Sequence, residues 1–204
     1  MTSGRKQLSK KALRYALLLC TAFLIACKSS GGIDILGPSD ETADAANIVI
    51  EANKELKAIK VLYENHENKR EELKKAMSID DAAAVKKISD DLVYIINDGA
   101  KLGMNALEKI EQARDMNINS DYQDYLRLKS VALKHQLEAF EQYRQAAISL
   151  RENYDPKNTQ LRQKVSVEFK ERSENFQKLM EKARESSTEA NELAKDALKK
   201  QADE

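Results

Sequence analysis

The sequence predicts an all-α protein: an antiparallel up-down four-helix bundle with long, coiled-coil-like helices. Two observations predict it. Turn-forming residues crowd the front of the chain, where Gly4, Gly31, Gly32, Gly37 and Pro38 account for five of the six Gly and two Pro together. The remainder is almost unpunctuated, which argues for long helices and against sheet. In that remainder, apolar residues return at alternating steps of three and four, which places them on one stripe of a helix.

The first stripe runs through Val49, Ala52, Leu56, Ile59, Tyr63, His66, Arg70, Leu73 and Met77. The second runs from Val85 through Leu92, Gly99 and Ala106 to Ile110 and Ala113, the third from Tyr122 through Leu133, Phe140 and Tyr143 to Tyr154. The fourth holds Val165, Phe169, Arg172, Phe176, Leu179, Ala183, Ala190 and Ala197. Flanking apolar residues such as Leu62, Ile96, Leu107, Leu137 and Met180 widen each buried face beyond a two-stranded seam, as a bundle requires. The same periodicity separates this chain from a disordered one of equal charge content.

Capping chemistry sets the breaks. Ser39 after Pro38, followed by Asp40 and Glu41, suits a helix start, because a side-chain oxygen covers free N–H groups and acids meet the positive dipole end. Ser78 or Asp80 suits the second start, and Ser120-Asp-Tyr-Gln123 reads as a capping box. Asp155-Pro156 offers a cap followed by proline at the first helical position. The expected helices are 40–77, 80–115, 121–154 and 156–201 within a domain spanning 39–204. Loops this short force neighbouring helices antiparallel. The last stretch, Glu181 to Glu204, is expected to run past the bundle and offer a coiled-coil surface.

The N-terminus carries a different message. Five positives (Arg5, Lys6, Lys10, Lys11, Arg14) and no acid precede residue 27, and a twelve-residue apolar run spans Tyr15 to Ala26. That length suits a signal-peptide core, whereas a membrane-spanning helix needs about 20 residues. The run closes on Leu24-Ile25-Ala26-Cys27. This resembles the lipobox of bacterial lipoproteins. The resemblance implies a signal peptide over 1–26 cleaved after Ala26, a diacylglycerol on the Cys27 thiol, and a flexible tether over 27–38. It also implies attachment to the membrane by lipid, facing the periplasm or the cell exterior. Lys28 rather than Asp after the cysteine leans towards the outer membrane. Cys20 is a poor rival, because Leu19 before it is too large.

Composition excludes several chemistries. Without the five leading positives, 29 of the 34 basic residues face 34 acidic ones, so the processed chain carries a balance of −5 and no basic field for nucleic acid. Both cysteines, Cys20 and Cys27, precede the helical domain, which leaves it no thiol. Phosphate-cradling and nucleophile-elbow motifs are absent, and the two histidines, His66 and His135, follow Tyr63 and Ala132 rather than Glu at the three-residue spacing of a di-iron bundle. No catalytic residue, metal site or cofactor is expected. Gly99-Ala-Lys-Leu-Gly103 reads as a close helix approach or a mild weakening of an amphipathic helix.

The sharper clue is the set of polar residues within the stripes: His66, Arg70, Lys129, Gln136 and Arg172. Folding the expected helices at their turns brings Tyr63, His66, Tyr143 and Arg172 to a similar height, with Phe140 and Phe169 nearby. That level is the candidate small-ligand site. Against it stands the plainer expectation that long charged side chains reach the rim and pair with neighbouring Glu. The leading functional expectation is a membrane-anchored, non-enzymatic envelope lipoprotein that contacts a protein partner, self-associates or acts as a spacer. The alternative is a sensor-like bundle with a mid-bundle Tyr/His/Arg pocket.

Overall fold

The computed structural model describes the backbone of residues 40–203 and the side chains of residues 40–196. The lipobox, Cys27 and the tether lie outside the described residues. Four helices follow one another: α1 (Thr42–Ser78), α2 (Ala82–Arg114), α3 (Ser120–Asn153) and α4 (Thr159–Asp203). They form an antiparallel four-helix bundle. Each expected stripe lies on a helix, and the boundaries differ by one to three residues.

Those differences have local causes. Asp40 accepts the Thr42 N–H at 2.9 Å, so α1 starts two residues later than expected. The α1 start is also held to the α2–α3 loop: the Glu41 N–H donates to the Asn117 carbonyl at 2.9 Å, and the Asn117 N–H donates to the Glu41 carboxylate at 2.8 Å. Asn119, not Ser120, caps α3, accepting the Tyr122 N–H at 2.9 Å.

The turn between α1 and α2 is a Schellman motif. The Asp81 N–H donates to the Ala76 carbonyl and the Asp80 N–H to the Met77 carbonyl. Its left-handed position is usually Gly; here Asp80 fills it with φ 55°. Asp81 then caps α2 through Ala84 N–H at 3.0 Å.

Between α3 and α4, proline plays another part than expected. Asp155-Pro156-Lys157-Asn158 forms a β-turn closed by Asn158 N–H to Asp155 carbonyl at 3.2 Å. Proline's fixed φ suits the second position of such a turn as well as the first position of a helix. Asn158 is the cap, accepting Leu161 N–H at 3.0 Å, and α4 starts at Thr159 rather than Pro156.

Backbones approach closely between consecutive helices, α1 with α2, α2 with α3 and α3 with α4. The α1–α4 seam is closed by side chains instead, with the Phe176 ring 5.8 Å from His66. We call the Thr42 end the base and the Ser78–Asp81 end the tip. Towards the base, the core joins Ala45, Val49, Ala52, Ile110 and Leu126 from α1, α2 and α3. From mid-height to the tip, larger side chains from all four helices fill it, including Leu73, Leu92, Tyr143, Val165 and Phe176.

Up to Asn191, α4 does not run past the bundle as expected but lies along α3. Ser149 on α3 donates to Glu168 at 2.8 Å, and Lys129 donates to Asn191 at 3.1 Å. α4 therefore runs antiparallel along α3 towards the base, and Ala183 and Ala190 are buried. Small alanines give this stretch its apolar contact without bulk.

The two helical glycines mark the α2–α3 contact. A methyl group added at Gly99 would stand 3.4 Å from the Phe140 ring, an ordinary contact. One added at Gly103 would stand 2.7 Å from Leu137 Cδ2, which would have to swing away. Gly99→Ala is thus expected to stabilise the bundle by about 0.5–1 kcal/mol through helix propensity and a stiffer unfolded chain. Gly103→Ala is expected to gain less, and thermal melts of the two variants check the ranking.

Candidate functional site

Mid-height in the bundle, α1, α3 and α4 bring aromatic rings around one histidine. His66 is only 4% exposed. Its ring lies 4.7 Å from Tyr143 in an edge-on arrangement, 5.8 Å from Phe176 and 6.0 Å from Tyr63. Sequence periodicity places His66 on the buried face, and the antiparallel pairing of helices supplies the rings. The structure therefore brings together Tyr63, His66 and Tyr143, three of the four residues expected to share a level.

Arg172 is the exception. It sits at the rim, its side chain about a third exposed, and donates to Glu168 at 3.0 Å one helical turn away. Phe176, rather than Phe169 or Arg172, stands opposite His66. Phe169 is half-buried against the same core, and its ring lies 5.7 Å from Tyr143.

The cation of the cluster is Arg70, one turn along α1 from His66. Its guanidinium lies 5.2 Å from the Tyr143 ring centre and 5.4 Å from that of Phe176, and it donates to Glu67 at 2.6 Å. A delocalised guanidinium can lie against aromatic faces while its edge serves a carboxylate. Arg70 stands in the first stripe four residues after His66, which is the one sequence signal that points to it.

The electrostatics follow from burial and neighbours. Burial drives the His66 ring below its ordinary value, so it is neutral near neutral pH. Burial also pushes the Tyr143 hydroxyl up to about 12 and raises that of Tyr63. The adjacent His66 ring and then the Arg70 guanidinium hold the Glu67 carboxyl down at about 2, against the upward push of its burial. Glu67 nevertheless stands 3.7 Å from His66 Nδ1, outside hydrogen-bond reach. Both ring nitrogens of His66, Nε of Arg70 and Oγ of Ser173 are buried without a hydrogen-bond partner.

No protein family, curated protein or solved structure matches this chain. Among the described residues, no group of three or more His, Cys, Asp or Glu could hold a metal ion. No helix among them is long and apolar enough to cross a membrane.

A second polar assembly sits at the tip. Asp80, in its left-handed conformation, accepts from Arg162 at 2.6 Å and from the Tyr154 hydroxyl at 3.0 Å. These two contacts hold its carboxyl below the usual range, Arg162 contributing most. They tie the α1–α2 turn to the end of α3 and the start of α4. Beside them lies a groove of about 440 Å³ lined by Met77, Asp80, Tyr154, Thr159, Arg162 and Ser166. The neighbouring Ile79 is 74% exposed. Nothing in the sequence marks Asp80 for this role, because its partners lie more than seventy positions away.

Proposed function

We propose that this protein is a lipid-anchored envelope protein of a bacterium, held at the membrane through Cys27 and working by contact or as a spacer rather than by catalysis. One observation supports the reading most directly. The chain enters the bundle at the base, at Thr42, while the Asp80/Tyr154/Arg162 assembly and exposed Ile79 stand at the tip. With 37 residues, α1 is about 55 Å long at 1.5 Å per residue. A tether that joins the bundle at its base leaves the tip, at the far end of α1, free to meet a partner. The salt-bridged outer faces suit a solvated rod, with pairs such as Lys74–Glu71 and Lys54–Glu51.

Lipid chemistry supplies the anchoring force. A single acyl chain of myristoyl length binds a bilayer only marginally, at about 0.8 kcal/mol per buried CH₂, while two or more hold stably. The test is expression of the full chain and its Cys27→Ser variant in bacteria, with a radiolabelled fatty acid and membrane fractionation. The parent is expected to take up label and sediment with membrane. The variant is expected to lose both. A variant that labels and sediments like the parent removes the basis for an anchored role.

A further inference from the structure

We propose that the α1–α4 seam is an acid-sensitive closure: a proton taken up by His66 inside its Tyr63/Tyr143/Phe176 cage releases α1 from α4. The inference is independent of lipid anchoring and concerns the bundle alone.

The seam is the weak side of the bundle. The three consecutive helix pairs approach closely along their length, whereas α1 and α4 lie further apart and at mid-height meet through the side chains of His66, Arg70 and Phe176. The same place holds three buried polar atoms without partners, both nitrogens of His66 and Nε of Arg70. A buried polar atom that lacks a hydrogen bond costs free energy, so the seam is closed under tension from its own polar groups. Neutral imidazole tolerates this place because its faces and edges meet aromatic rings. An imidazolium needs two acceptors, and the cage offers rings and a single carboxylate, Glu67, which stands 3.7 Å from Nδ1 and already serves Arg70.

Burial sets the sign, and the groups facing His66 do not reverse it, since Glu67 and Arg70 act in opposite directions. From α1 come Tyr63, Glu67 and Arg70, from α3 Tyr143, and from α4 the uncharged Phe176 ring. Both tyrosines are pushed upward and stay neutral below pH 8. Glu67 is held at about 2 and stays anionic, but it already serves Arg70 at 2.6 Å. The cluster is balanced with His66 neutral and gains a net positive charge when the ring is protonated next to Arg70. The folded state therefore binds the His66 proton less readily than the unfolded chain does. Stability is complete above the free-histidine value near 6.5 and falls as the pH drops below it. The carboxylates with lowered values lose their contribution only further down, which leaves the window between pH 7.5 and 5 to histidine.

The experiment uses the full-length chain in a mild non-ionic detergent. Urea unfolding is followed by helical circular dichroism from pH 7.5 to 5. The unfolding constant is expected to rise as the pH falls, by at most about tenfold per pH unit, the limit set by one proton. His66→Phe and His66→Gln are both expected to flatten the profile. Hydrogen exchange at pH 5.5, corrected for intrinsic rates, is expected to rise around residues 66 and 176 before it rises along the α2–α3 contact. In a His135→Gln background, NMR should show the remaining ring gaining its proton at lower pH than free histidine, a readout that needs neither His66 variant to fold. A flat wild-type profile, an unchanged slope in the His66 variants, uniform exchange over all four helices, or a ring that titrates like free histidine would each overturn the proposal.

Discussion

Truncating Phe176 to alanine is expected to cost about 3–5 kcal/mol, the usual range for removing a fully buried aromatic ring. Phe176 is 2% exposed and touches three partners at once: His66 at 5.8 Å, Tyr143 at 5.3 Å and the Arg70 guanidinium at 5.4 Å. It is the only α4 ring that reaches α1 among those contacts, so its loss opens the seam as well as leaving a cavity. Phe169 makes the useful control. It is half-buried and shares a ring contact with Tyr143 but none with His66 among the described residues, and Phe169→Ala is expected to cost clearly less. Urea denaturation of both variants at pH 7.5 measures the difference. A larger loss at Phe169 than at Phe176 would mean that α4 sits one heptad away from the position described above.

The second large effect is expected at Arg70. Its side chain is 11% exposed, lies against two aromatic rings and holds Glu67. Arg70→Ala removes the aliphatic stem from the seam, removes the cation from both rings and leaves Glu67 without its closest partner. Lost packing and desolvated cation–π contact together set the expected cost at about 2–3 kcal/mol. Arg172→Ala is expected to change stability by less than about 1 kcal/mol, because Arg172 pairs with Glu168 where both side chains are about a third exposed. The same denaturation series decides this. Equal losses at the two arginines would contradict a rim position for Arg172.

Both contrasts turn on one feature of periodic sequences. Phe169 and Phe176 are seven residues apart on the same stripe, as are Val165 and Arg172. Sliding α4 by seven residues leaves every stripe residue on the buried face and changes only its height. The apolar pattern is blind to that slide. The positions of His66, Tyr63 and Tyr143 survive because α1 and α3 begin within two residues of where their caps were expected. Arg172 does not survive: α4 starts three residues later than expected, after a β-turn over residues 155–158, and Phe176 rather than Arg172 meets His66. Proline's φ is the same in either use, and local chemistry alone does not choose between them. What chooses is the closed tip, where Arg162 reaches Asp80 and Tyr154 reaches the same carboxylate.

By itself, the sequence determined the helix count, the residues that turn inward on each helix and the antiparallel order, since all three follow from a 3.5-residue repeat interrupted by short capped loops. It also determined that the helical domain has no thiol and no paired Glu-x-x-His. The tertiary structure alone decided which inward residues meet. Arg70 rather than Arg172 joins His66, Phe176 rather than Phe169 faces it, Asp80 takes a left-handed turn that usually asks for glycine, and α4 lies along α3 instead of projecting past it. The physical reason is the difference between angle and height. Side-chain direction around a helix is a local property, repeated every turn, whereas the level at which two helices face each other depends on how many residues each turn consumes and on contacts made across distant parts of the chain.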